Sequence, residues 1–183
     1  MRRLREWIIT LIYKGATSTK GIRTILTPVV GIAFLSLILF VIFTSFYLDR
    51  FFRFPEFIAK PYRIAISLPL FITGASLWIW CVGKFLKRKG TPVPVNPPPT
   101  LITDGPYAYS RNPMMTGVFL MLAAIGIFWG SLTLTFITTP LFVAISILEF
   151  KYIEEPELKR RFGKDYTEYK EKTPIIIPRI RLS

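Results

Sequence analysis

The sequence contains no histidine and a single cysteine, Cys81. The first absence removes the commonest general base, the commonest metal ligand and any Ser-His or Cys-His nucleophilic pair. The second leaves no disulfide framework and no cysteine metal cluster, so no metal is expected. Cys81 itself reads as a small apolar packing residue. Acidic residues are also scarce, 11 against 24 Lys and Arg in 183 residues, a net charge of +13. In a soluble chain that balance would suggest nucleic acid. Here the charges flank long apolar runs, and no nucleic-acid-binding motif is present. Positive-inside topology and anionic lipid headgroups account for them, and no nucleic acid partner is expected.

What is abundant is apolar surface. The chain is 51% hydrophobic and 15% aromatic, with mean hydropathy +0.44. The expected fold is an all-α integral membrane protein forming one domain over 1–183. Residues 1–24 alternate Arg2, Arg3, Arg5, Lys14, Lys20 and Arg23 with Trp7, Ile8, Leu11 and Ile12, the pattern of a helix lying in the interface. About four spans follow. Ile25–Tyr47 and Ile64–Gly83 make a two-span N-terminal half, 25–83; Met114–Trp129 and Ser131–Phe150 make a tight hairpin around Gly130. Gly74, Ala75 and Ser76 suit close helix contact or ligand approach, with contact favoured, and Pro140 predicts a kink in the fourth span. Twenty of the 24 basic residues fall in the N-terminal segment, the 84–113 connector and the tail from Lys151. Both termini are therefore expected in the cytoplasm.

Between the second and third spans, five prolines lie within 92–99, predicting an extended strap. The strap leads into DGPYAYSRNPMMTG, residues 104–117. Asn112 is a favoured helix N-cap and Pro113 suits the first helical position, so a helix is predicted to start beside Arg111. Its N-terminus would favour an anionic group. In the tail, Pro156 opens and Gly163 closes a short helix, and Asp165 caps another. Leu158, Phe162, Tyr166 and Tyr169 form an amphipathic stripe, and Glu155–Lys159 and Glu157–Arg161 are spaced as helical ion pairs. These tail helices are expected to be short, amphipathic and cytoplasmic.

The hairpin carries a geometric expectation. The fourth span returns to the depth of Pro113 near Glu149, which brings Glu154 and Glu155 within about two helical turns of Arg111. A cation, a helix N-terminus and two carboxylates at the rim of an apolar bundle form a functional site by default. Such a site fits a ligand with both carboxylate and ammonium. S-adenosylmethionine has both, with Tyr107 and Tyr109 available to stack on adenine or line the entrance; spacing alone admits any zwitterion.

The order and spacing of GPY, RNP, EE, FG, Y-x-x-Y and the final prolines, from Gly90 to Pro178, resemble the isoprenylcysteine carboxyl methyltransferase family, relatives of the phospholipid N-methyltransferases. The resemblance implies a helical membrane fold in which 84–178 binds S-adenosyl-L-methionine near the cytoplasmic surface. It also implies a lipophilic acceptor that enters from the lipid. Gly105, Pro106, Tyr107, Arg111, Asn112, Pro113, Gly117, Glu154, Glu155, Tyr166 and Tyr169 match the pattern and are the implied cofactor-binding residues. Arg111, Glu154 and Glu155 are the implied catalytic ones. Asn112 stands where many members have His, and Met115 where many have Tyr. The leading expectation is methyl transfer to the carboxylate of a prenylated cysteine or a similar lipid-like molecule. The alternatives are a phospholipid or amine N-methyltransferase, a nicotinamide-dependent reductase with a similar C-terminal pattern, and a non-enzymatic membrane scaffold. The expected partners are the acceptor and membrane lipids, with the chain a monomer or homodimer.

Overall fold

A computed structural model describes residues 2–176; Met1 and residues 177–183, including the Pro178 of the resemblance, lie outside them. The described chain is helical, with no strand among the described residues. Helix α1 is Arg2–Ala16, α2 Lys20–Phe52, α3 Lys60–Lys87 and α4 Pro113–Trp129. A 3-10 turn, Gly105–Ala108, precedes α4. Helix α5 runs without a break over Thr133–Phe162, and α6 is Lys164–Lys172. Helices α2, α3 and α5 are long and apolar enough to cross a bilayer. Helix α4 has 17 residues, about 26 Å, at the lower limit for a span. The chain is an integral membrane protein.

Two features of α5 depart from expectation, and both trace to proline. The helix does not restart at Pro156 but continues through it, with π-helical turns over Thr133–Thr138 and Phe150–Glu154. Each turn lies just N-terminal to a proline, Pro140 or Pro156. Proline supplies no N–H to the carbonyl four residues back and its ring clashes with that carbonyl. Widening the turn to i→i+5 bonding relieves this: Thr139 N–H donates to Leu134 O and Glu155 N–H to Phe150 O. Gly163, at φ 58, ends α5 as expected. Asp165 falls in the first turn of α6, and Gly163 occupies the capping position assigned to it.

The proline strap is not simply extended. Thr91 N–H and Oγ1 both donate to Asn96 O, at 2.7 and 3.1 Å, so the segment folds into a turn. Gly90 allows it: a Cβ there would meet Pro98 N at 2.2 Å.

The residues cluster into two compact units. The first takes the described residues up to Ile32, Trp80–Pro113, and those from Ile147. In it α1 packs against the Phe150–Glu154 turn and the end of α5, with the Arg160 guanidinium 4.2 Å from the centroid of the Tyr13 ring.

The second unit comprises Ala33–Ile79 and Met114–Ser146. Its core is Val118, Leu122 and Leu134, packed by Ile38, Val41, Ile42, Phe46, Met121 and Phe142 among others. Helices α3 and α4 meet glycine to glycine. A Cβ on Gly74 would sit 2.7 Å from Gly117 O, and one on Gly117 2.7 Å from Gly74 O. In lipid, where burial between helices gains little from water exclusion, such backbone approach supplies the packing. The α4–α5 connection turns on Gly130 at φ 69, with Ser131 N–H donating to Gly126 O at 2.8 Å.

Candidate active site

The site in the first unit is built from three segments. Asp104 fixes the first: Lys84 Nζ donates to Oδ2 at 2.5 Å and Arg88 Nη2 to Oδ1 at 2.8 Å. The Lys84 hydrogen bond, chiefly, holds this carboxyl below the usual carboxylate range. The clamp sets Gly105 at φ 62, where a Cβ would strike Lys84 Cε at 2.6 Å. Pro106 and Tyr107 are then buried. Tyr107 packs edge-on to Phe85 with centroids 5.8 Å apart. Burial, chiefly, pushes the Tyr107 phenol well above its ordinary value. Tyr107 is therefore part of the frame, while Tyr109 is exposed.

The second segment is the end of the described chain, laid along 110–112. Arg111 N–H donates to Pro174 O at 2.8 Å and Asn112 N–H to Ile175 O at 3.0 Å. Ser110 Oγ donates to Ile175 O at 2.7 Å. Pro113 follows as the first residue of α4. Arg111 is thus held at its backbone before its side chain does anything.

The third segment is the Phe150–Phe162 part of α5, with α6 beside it. Arg111 Nη1 donates to Glu155 Oε1, and Lys170 Nζ donates to Oε2 of the same carboxylate. Arg111 Nε donates to Thr173 O at 2.8 Å, and Nη1 also reaches Tyr166 OH at 3.4 Å. The guanidinium lies 5.9 Å from the centroid of the Phe150 ring. The Arg111 and Glu155 side chains are 7% and 5% exposed, so this is a buried pair whose worth depends on full satisfaction. Glu155 therefore does not pair with Lys159; Glu157 does reach Arg161, at 3.5 Å. Tyr169 OH donates to Tyr107 O at 2.7 Å and ties α6 to the 3-10 turn. Burial, chiefly, raises the Tyr166 phenol to about 12 and moves the Tyr169 phenol in the same direction. Both are neutral phenols at physiological pH.

The expected convergence of Arg111 with the acidic pair is present, but the two acids differ. Glu155 is fully engaged. The Glu154 side chain has no hydrogen bond or ion pair among the described residues, and the carboxylates of Glu149 and Glu157 act on it. The π turn explains the first neighbour: i→i+5 bonding aligns residues five apart, as Glu149 and Glu154 are. Gly117 belongs to the second unit, where it serves the contact with Gly74. Sequence reasoning missed Lys170, Thr173, Ser110 and Phe150. Lys170 had a signal, four residues after Tyr166 and next to Tyr169. Thr173 had none, because its carbonyl is the acting group.

The phospholipid methyltransferase family model matches residues 62–165, more than half of the chain and all of the stretch from Asp104 to Glu155. The chain belongs to the phospholipid methyltransferase family. Membership supports methyltransferase activity in a membrane protein. No curated protein and no solved structure shows significant similarity to the chain. The family match takes in the Arg111–Glu155 pair but stops short of Tyr166, Tyr169 and Lys170.

Proposed function

We propose that the chain is an S-adenosylmethionine-dependent methyltransferase whose acceptor is the amine of a lipid. The observation that carries this is the split between charges. The Arg111 guanidinium commits Nε and Nη1 to Thr173, Glu155 and Tyr166, whereas the Glu154 carboxylate is uncommitted among the described residues. An uncommitted acid among further acids suits a positively charged or proton-releasing ligand. The fit to the cofactor rests on the same group, since one oxygen of Glu154 can take a ribose hydroxyl and leave the other free.

When bound, S-adenosylmethionine supplies a sulfonium methyl, open to in-line displacement with the thioether as leaving group. The chain's part is positioning and charge placement. Arg111, Glu155 and Lys170 hold α5, α6 and the 104–112 segment as one frame around Glu154. An ammonium acceptor must lose a proton before its nitrogen can attack, and Glu154 is the acceptor for that proton. Tyr166 is not, because its phenol keeps its own proton until about pH 12.

The competing acceptor is a prenylcysteine carboxylate, which needs no base and so suits a chain without histidine. It does need a cation, and those of the site are already paired, Arg111 and Lys170 with Glu155 and Lys84 and Arg88 with Asp104. The orientation proposed places both termini on the cytoplasmic side.

The test is transfer of labelled methyl by detergent-solubilised protein to aminophospholipids and to prenylcysteine analogues. The expected result is label on the amine lipid, lost in Glu154→Gln with the fold intact. Label on the prenylcysteine alone overturns the amine reading. Binding of NADPH but not S-adenosylmethionine points to reductase chemistry, and binding of neither to a scaffold.

A further inference from the structure

The second unit contains a cavity of about 270 Å³ lined by Phe46, Asp49, Arg50, Phe54, Trp129 and Ser131, with Glu56 and Gly130 beside them. It shares no residue with the Arg111 cluster.

Its floor is fixed by two groups of hydrogen bonds. Asp49, near the end of α2, accepts from Ser131 Oγ, from Thr133 N–H at 2.9 Å and from Thr133 Oγ1 at 2.5 Å, capping α5 from a different helix. Arg63, 6% exposed, donates to Ile58 O at 2.8 Å and to Glu56. It also packs on the Gly130 turn, where a Cβ would meet its Cζ at 2.7 Å. Arg53 adopts φ 54, which lets Phe54 N–H return to Asp49 O at 3.0 Å and brings Phe54 to the cavity wall. Phe46 and Trp129 meet edge to face with centroids 6.2 Å apart.

The charge of this cavity follows by accounting. Both lining acids are committed, Asp49 to the α5 N-terminus and Glu56 to Arg63. The Arg50 side chain has no hydrogen bond or ion pair among the described residues, so the uncommitted charge is positive. The walls are aromatic, and they belong to a unit in which α2 leaves Phe40, Phe43 and Tyr47 as exposed apolar surface. The volume suits a headgroup and excludes acyl chains, which must lie outside against that surface.

We propose that this cavity holds the phosphodiester headgroup of a phospholipid that is bound and not methylated. Arg50 donates to the phosphate, and Phe46, Phe54 and Trp129 surround the glycerol end. The proposal is independent of the reading given to Arg111 and Glu154.

The test uses the full chain in detergent and measures lipid retained through delipidation, by native mass spectrometry. The probes are dioleoyl phosphatidylglycerol and dioleoylglycerol, the same chains without the phosphate. The wild type is expected to retain the phosphatidylglycerol at least about tenfold better, the scale of one charge-assisted hydrogen bond. Arg50→Gln loses that margin, Arg50→Lys recovers part of it, and S-adenosylmethionine binding is unchanged in both. Equal retention by Arg50→Gln and wild type overturns the site. Equal retention of dioleoylglycerol overturns phosphate recognition and leaves an annular lipid. Glycerol phosphate binding as well as the intact lipid overturns the lipid assignment.

Discussion

The phenol of Tyr169 donates to the carbonyl oxygen of Tyr107 at 2.7 Å, joining α6 to the 3-10 turn across 62 positions of sequence. Both residues are buried, so the carbonyl depends on this donor. Tyr169→Phe keeps the ring and removes the donor, and is expected to cost about 1–3 kcal/mol. Denaturant unfolding in detergent, compared with wild type, checks the value. A loss under about 0.5 kcal/mol would mean that water replaces the phenol.

Arg111 and Glu155 should behave as a unit with an unequal third member. Removing one partner of a buried pair typically costs about 3–5 kcal/mol, so Glu155→Gln and Arg111→Met are each expected in that range. Lys170 is half exposed, and Lys170→Ala should cost under about 1 kcal/mol. The double variant Arg111→Met/Glu155→Met should lose less than the two single changes added together. A double-mutant cycle reads this, and strict additivity would refute the coupling.

The buried phenol of Tyr166 gives a pH prediction. Its folded value is about 12, against about 10 in an unfolded chain. The folded protein thus holds this proton more tightly. The stabilisation is complete below about pH 10 and disappears as pH rises towards 12. An ultraviolet phenolate titration of wild type minus Tyr166→Phe should show the missing tyrosine ionising only as pH approaches about 12. Ionisation near 10 would show a solvent-reached phenol.

Gly74 and Gly117 offer a packing test. Alanine at either forces a methyl against a backbone carbonyl, with an expected loss of about 1–3 kcal/mol. Gly31→Ala, with nothing within 4 Å of the added carbon, should be neutral or mildly stabilising. Thermal unfolding of the three variants decides; equal behaviour would contradict the close α3–α4 contact.

Local chemistry made much of this legible. Uninterrupted apolar runs placed the long helices, Asn112-Pro113 placed the start of α4, and Gly130 and Gly163 placed two helix ends. The meeting of Arg111 with Glu155 followed from counting residues down a hairpin. What was hidden depended on partners remote in sequence. Glu155 has Lys159 at helical spacing, and only tertiary packing diverts it to Arg111 and Lys170. Asp49 carries no local sign that it caps a helix more than 80 residues later. Pro156 predicts a helix start because proline is favoured there; instead the helix passes through it by widening to a π turn. The same Glu-Pro and Thr-Pro dipeptides, each inside a long apolar helix, were the available sign of both π turns.

The backbone pairing of 110–112 with 174–175 bears on how the protein is shortened. A stop codon before Thr173 would deprive Arg111 of two carbonyl acceptors, at N–H and at Nε, and leave its guanidinium to Glu155 and Tyr166. Deletion series at this end should therefore lose the arginine's alignment abruptly across the two codons of Thr173 and Pro174, not gradually with length.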